Sequence, residues 1–257
     1  MKYEDLDGIR RSDLWLIKQS PMHFRYHMDH RDDVKSKALV FGAAAHKYIL
    51  EPNDFEKEYA VIPDVDRRTK EGRAIYSVFE ERCKQQGVTA ITGDDMDRIC
   101  DMADALKQNE LATQLLDGLH EVPFAWDDDL TGERCKCRVD CLTLYNEQPF
   151  VVDYKTTDSC EDGHFERSAR KYGYQFQAGM YCEGLFQYSL KEYGFAFVAQ
   201  EKTAPYAVRV YICDREWIRR GYDTFRELIG IYHDCKQTGN WYGYEGRDGI
   251  PVELMED

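Results

Sequence analysis

Basic residues are scarce in this chain. Its 34 Lys and Arg stand against 48 Asp and Glu, a formal net charge of −14. That balance excludes a polycationic surface that holds polyanions non-specifically, so a phosphate-bearing partner would need a locally basic cleft or an enclosed channel. Long hydrophobic runs are missing as well: no apolar stretch is long enough to cross a bilayer, and no basic-then-apolar leader opens the chain. The expectation is a soluble, cytoplasmic protein with no membrane partner. Repeats, low-complexity tracts and Pro/Ser-rich linkers are absent, which points to one domain over 1–257 with an N-terminal helical portion to about 118. The nine cysteines include no C-x-x-C pair. Disulfides are not expected in a reducing compartment, and a zinc or iron–sulfur site is disfavoured.

What is present suffices for a sizeable core, with 43% hydrophobic and 13% aromatic residues. The pattern predicts a helix over 12–28 with Ser12 as N-cap and a break at Pro21, then helices over 41–50 and 74–86. Another opens at Gly93, and a further one ends near Gly118. Strands follow over 121–126, 134–145 and 150–156, the last two a hairpin through Asn146-Glu147-Gln148-Pro149. Helical patterns over 161–190, strands over 194–200 and 207–212, and a helix over 215–236 complete the order. The fold class is α/β, a central mixed sheet flanked by helices.

Chemistry concentrates on two neighbouring strands. Along the first, Arg134, Lys136, Arg138 and Asp140 alternate with Cys135, Cys137, Val139 and Cys141. A strand turns successive side chains to opposite faces, so the cysteines read as core opposite a charged face. The second runs Phe150-Val151-Val152-Asp153-Tyr154-Lys155, an apolar strand ending in an acid and a lysine on one face. Charges placed there are costly unless they act. Two carboxylates converging from adjacent strands can hold a hard divalent cation, and a lysine beside them can polarise water or steady developing negative charge. This is phosphodiester-hydrolysis chemistry.

Other positions can join them. His46 follows Gly42-Ala43-Ala44-Ala45, small residues that let a helix approach another backbone and carry an imidazole to a metal. Tyr174, Gln177 and Tyr181 share a helix face near the donors Arg167, Arg170, Lys171 and Gln175. Glu121 opens the strand expected beside Asp140 and offers a third carboxylate. Arg67, Arg68, Lys70 and Arg73 form the densest basic run, suited either to solvent or to phosphate.

Gly42-x-x-x-His46, Asp140, Asp153-Tyr154-Lys155 and Gln177-x-x-x-Tyr181 resemble, in order, the motifs of PD-(D/E)-x-K nucleases of the RecB-like group. Ser12-Asp13-Leu14, Ser20-Pro21-x-x-Phe24 and Asp66-Arg67-Arg68-Thr69-Lys70-Glu71-Gly72 resemble more specifically the phage-type recombination exonucleases of the exodeoxyribonuclease VIII kind. Val139 stands where that pattern has proline before the first aspartate. The resemblance implies a restriction-endonuclease-like core and Mg²⁺-dependent 5′→3′ digestion of linear double-stranded DNA, with Mn²⁺ as a substitute. It implies 3′ single-stranded tails, a single-strand annealing protein as partner, and a ring-shaped homo-oligomer whose basic lumen and acidic exterior reconcile the net charge with DNA ends. A phage or prophage setting in a bacterial host goes with it.

Carried over, His46, Asp140, Asp153 and the Tyr154 carbonyl bind metal, and Lys155 acts on the attacking water. Gln177 and Tyr181 support the site, with Glu121 beside the metal. Ser12, Arg67, Arg68, Lys70 and Arg170 are expected to contact DNA phosphates. The alternatives are a single-strand or other-polarity exonuclease of the same fold, and a non-catalytic DNA-binding recombination accessory protein.

Overall fold

A computed structural model describes residues 3–30 and 37–244, with the side chain of Lys37 left aside. The chain opens with β1 (Ile9–Arg10), α1 (Arg11–Ile17) and α2 (Pro21–Asp29). α3 (Lys37–Leu50), α4 (Phe55–Glu58), β2 (Tyr59–Val61), α5 (Lys70–Gln86), β3 (Thr89–Ile91), α6 (Gly93–Lys107) and α7 (Glu110–Leu115) follow. The centre is the meander β4 (Leu119–Asp127), β5 (Arg134–Tyr145) and β6 (Gln148–Thr157). Then come α8 (Asp162–Tyr172), α9 (Tyr174–Ser189), β7 (Gly194–Glu201), β8 (Val208–Cys213) and α10 (Arg215–Thr238). The expected mixed α/β architecture is what forms, although the stretch before Gly118 also holds three short strands.

The main sheet runs β1-β5-β6-β7-β8, with β4 on the other edge of β5. β1 and β6 therefore share one edge of β5. β1 takes Cys135 and Lys136 in parallel, and β6 takes Cys141 to Tyr145 antiparallel. Between these two pairings β5 has no strand on that edge, and Asp140 sits in the gap. β6 pairs in parallel with β7, and β7 antiparallel with β8.

One face of the sheet packs on α1, α9 and α10 through Leu14, Phe176, Met180, Phe195, Phe197 and Phe225. The other packs on α3 and α7 through Leu50, Leu115, Val152, Ala196 and Val198. Burying a side chain of this size stabilises the fold by about 1.5–3 kcal/mol. α9 and α10 touch at two glycines. A Cβ on Gly179 would lie 2.0 Å from Tyr222 N, and one on Gly221 would lie 1.9 Å from Gln175 O.

Three sequence expectations shift. Ser12 is not an N-cap: β1 runs directly into α1, Arg10 holds the cap position, and its guanidinium grips Asp13 at 2.8 and 2.9 Å. The helix predicted over 12–28 becomes two, because Ser20 accepts the His23 N–H and Pro21 starts a new helix. The pattern over 161–190 likewise breaks at Gly173, whose φ of 67° ends α8 and whose missing Cβ leaves room for the Trp15 ring.

Cys141 departs from its predicted face. Cys135, Cys137 and Val139 enter the core against α9, as alternation requires, but Cys141 joins the α7 side and donates to the Leu115 carbonyl at 3.6 Å. The parity changes where the β4–β5 ladder skips Glu121 opposite Asp140. Glu121 adopts φ 53°, a left-handed conformation that strains a residue with a Cβ and twists the strand pair there.

Candidate active site

The gap on β5 is a fork. Asp140 ends the stretch that β6 leaves unpaired, and its Oδ2 accepts the Tyr154 N–H at 2.9 Å in place of a ladder bond. A strand residue turns its N–H and C=O to the same edge, so the Tyr154 carbonyl opens onto the fork as well. The Tyr154 ring lies on the opposite face, donating to Gln200 at 2.7 Å, and fixes the strand. Asp153 and Lys155, flanking Tyr154, both turn into the fork and pair with each other.

α3 closes the fork from above. A Cβ on Gly42 would lie 3.3 Å from Thr156 Oγ1, so glycine sets how closely α3 approaches β6. That approach brings His46 Nε2 to 2.9 Å from Asp140 Oδ2 and Nδ1 to 3.4 Å from Glu121 Oε1. From the far side α9 presents Gln177, whose amide donates to Asp153 Oδ1, and Tyr181, buried in the same cleft.

The electrostatics are those of buried carboxylates crowded against two cationic side chains. Burial raises Glu121 above the usual carboxylate range despite Arg138 and His46 beside it. Burial, with the charge of Asp140, also raises Asp153 against Lys155 and His46. Asp140 is held below its usual range: burial opposes this, but His46, Lys155 and the Tyr154 N–H prevail. His46 and Lys155 are both raised; burial works against their charges, and the surrounding carboxylates win.

Among the described residues, His46, Glu121 and Asp140 offer ligand atoms all within 4.8 Å of one another. Two buried oxygens here, Glu121 Oε1 and Asp153 Oδ2, have no aligned hydrogen bond. Buried carboxylate oxygens without aligned hydrogen bonds are costly, and a hard divalent cation would satisfy them. The donor set fits a metal.

The family model for the PDDEXK-like domain of unknown function (DUF3799) matches residues 11–247. This chain belongs to that PDDEXK-like family. A crystal structure of a "Putative exonuclease" from Eubacterium rectale has the same fold: TM-score 0.64 at 13% identity, covering 97% of this chain and 91% of that one. A second solved structure, SSO0001, covers 83% of this chain and 84% of its own at 15% identity, with a TM-score of 0.31, too low to carry an argument. No curated protein matches.

Within this PDDEXK-like domain, a cleft of about 950 Å³ gathers His46, Glu121, Asp140, Asp153, Tyr154, Lys155, Gln177 and Tyr181. It does not gather the residues expected on DNA. Ser12 is exposed on α1 outside it, Arg67 and Arg68 sit on the turn before α5, and Lys70 is the first residue of α5. There the Arg67 guanidinium lies 3.4 Å from the centre of the Tyr76 ring, and Thr69 caps the helix by accepting the Gly72 N–H. Arg170 is 83% exposed on α8 and faces a different groove.

Two cleft residues were given no place in the site by the sequence reading. Arg138 holds Glu121 Oε2 at 2.6 Å. Arg11 donates to the Tyr172 carbonyl at 2.7 Å and to Gln177 Oε1 at 3.4 Å, fixing which end of that amide faces Asp153. Alternation with Asp140 on the charged face of β5 was a signal for Arg138. Nothing local signals Arg11, whose partners lie more than 160 positions away.

Proposed function

We propose that this chain is a Mg²⁺-dependent exodeoxyribonuclease that digests linear double-stranded DNA 5′→3′ and leaves 3′ tails for recombination by strand annealing. The observation that carries the nuclease part is the β5–β6 fork. Four acid and imidazole side chains converge there, two of their buried oxygens have ion-pair contacts but no aligned hydrogen bond, and a lysine stands beside them.

His46, Glu121, Asp140, Asp153 and the Tyr154 carbonyl would hold the cation. When bound, it supplies a water of lowered pKa and neutralises charge at the scissile phosphate. The chain's own groups do the rest. Gln177 anchors Asp153 Oδ1, directing Oδ2 into the fork. Lys155 stays protonated between Asp153 and Asp140, so it orients the attacking water and offsets charge growing on the phosphate oxygens. In that protonation state it donates; it does not accept the water's proton. Tyr181, whose hydroxyl burial holds well above its usual range, remains neutral against the cleft.

Polarity, preference for duplex ends, the annealing partner, the ring and the phage setting rest on the resemblance at Ser12-Asp13-Leu14, Ser20-Pro21-x-x-Phe24 and Asp66 to Gly72. Arg67, Arg68 and Lys70, being away from the cleft, would then contact duplex beyond the reacting end.

Linear duplexes labelled at either the 5′ or the 3′ end, with Mg²⁺ or EDTA, test this directly. Early release of 5′ label only with metal is expected. Asp153→Ala and Lys155→Ala are expected to lower the rate at least 10³-fold while retaining DNA binding in Ca²⁺. Early 3′ release sinks the polarity and keeps the nuclease. Metal-independent release, or variants that cut like the wild type, overturn the site.

A further inference from the structure

On the far side of the α8–α9 junction from the cleft lies a second groove, of about 770 Å³. Its lining is aromatic and cationic: Trp15, Tyr211 and Trp217, with Lys18, Arg170 and Arg220. We propose that this groove binds single-stranded nucleic acid continuous with the strand in the cleft, an inference that rests on the nuclease reading.

Three observations carry it. The first is continuity. Arg11 and Trp15 lie four apart on one face of α1, and Lys18 caps its end; Arg11 lines the cleft, whereas Trp15 and Lys18 line the groove. The junction does the same, since Tyr172 and Gln177 face the cleft while Gly173 and Gln175 face the groove. Tyr174 is buried between the two, its ring 5.1 Å from Lys155 Nζ and stacked at 5.3 Å on Phe197, a groove residue.

The second is exchangeable charge. In a chain of net charge −14, the groove carries three cations, balanced by Glu166, Asp214 and the neighbouring Glu216. Asp214 is engaged in capping α10, accepting the Trp217 N–H at 2.7 Å. Glu166 lies 3.8 Å from Arg170, and Glu216 lies 3.1 Å from Arg220. All four side chains of those pairs are well exposed, and such surface pairs exchange readily for a phosphate.

The third is the lining itself. Aromatic rings interleaved with cations are what sequence-tolerant single-strand sites use, bases stacking on rings and phosphates meeting Lys and Arg. Arg170, which has no place in the cleft, finds one here.

The test uses the full chain carrying Asp153→Ala, in EDTA, titrated with oligo(dT) of eight nucleotides. Tryptophan emission is expected to fall on binding, and Trp217→Phe to remove a large part of that quench. Arg170→Glu with Arg220→Glu is expected to weaken oligo(dT) binding at least tenfold. Losing two phosphate contacts at about 0.7 each should flatten the salt dependence by roughly 1.4 in log–log slope. Far-UV circular dichroism and the melting temperature of each variant check that it is folded. If the folded charge-reversed protein binds oligo(dT) as tightly as its parent, the groove assignment is wrong. Wild-type cleavage of end-labelled duplex, measured separately, decides the nuclease reading; cleavage with unaltered oligo(dT) binding in the variants sinks the groove alone. Binding of an apolar peptide with no oligo(dT) binding also overturns it, in favour of a protein partner.

Discussion

Asp153 is 2% exposed, with one oxygen on Gln177 and the other beside Lys155 without an aligned hydrogen bond. A cation entering a site built this way would displace protons, and His46 is where that competition would be felt. Its pKa is raised in the metal-free protein, and a metal binds only the neutral ring. Metal affinity is therefore expected to climb about tenfold per pH unit below the folded His46 pKa and to level off above it. Mn²⁺ calorimetry between pH 6 and 9 checks this, and His46→Gln should flatten the profile. The sign for stability is opposite. A raised histidine pKa contributes stability to the metal-free fold that is full below the unfolded value of about 6.5 and is lost as pH rises through the folded value. Glu121 makes a second prediction at this scale. Its left-handed backbone costs about 1–2 kcal/mol that glycine does not incur. Glu121→Gly is expected to melt without metal at or above the wild-type temperature, yet to lose most of the stabilisation Mn²⁺ confers. A marked drop in the metal-free melting temperature contradicts the strain argument.

Among the elements, α9 is placed by α10. Gly179 and Gly221 face backbone at about 2 Å from where a Cβ would sit, a contact no side chain can yield to. Gly221→Ala is expected to cost about 1–3 kcal/mol or more, read as a lower urea midpoint, with Gln177 carried out of register. The elements also show what the sequence made legible. Period-two alternation over 134–140 and the apolar run into Asp153 and Lys155 announced β5, β6 and the side chains at their fork, because a strand's facing follows from spacing alone. Gly42 and His46 were readable for a similar reason, one turn apart on a helix. The kink at Glu121, the helix break at Gly173 against Trp15 and the place of Arg11 were not. Each depends on a partner remote in the chain, and Cys141 changed face because the twist at Glu121 is invisible to a periodic pattern.

Taken whole, the molecule is strongly acidic and concentrates several carboxylates in one cleft. Cation binding to the folded state alone stabilises it by mass action, about 2.7 kcal/mol at a hundred times the dissociation constant. For a domain of this size that is roughly 5–10 °C in melting temperature. Mg²⁺ or Ca²⁺ is expected to give that shift over NaCl of equal ionic strength, and Asp140→Ala to abolish it. Equal shifts in both proteins would mean the cation merely screens the surface charge. No helix among the described residues is long and apolar enough to cross a membrane.

The two-residue strand β1, tucked beside β6 on the edge of β5, bears on how the protein is made. Ile9 and Arg10 pair with Cys135 and Lys136, and Arg11 waits for Tyr172 and Gln177. On a ribosome adding about 5–20 residues per second, Arg11 emerges roughly 8–33 seconds before the residues it must meet. His46 is made well before Asp140 and Asp153, the acids it meets in the fork. A partly synthesised chain thus lacks the assembled cleft until α9 has been made.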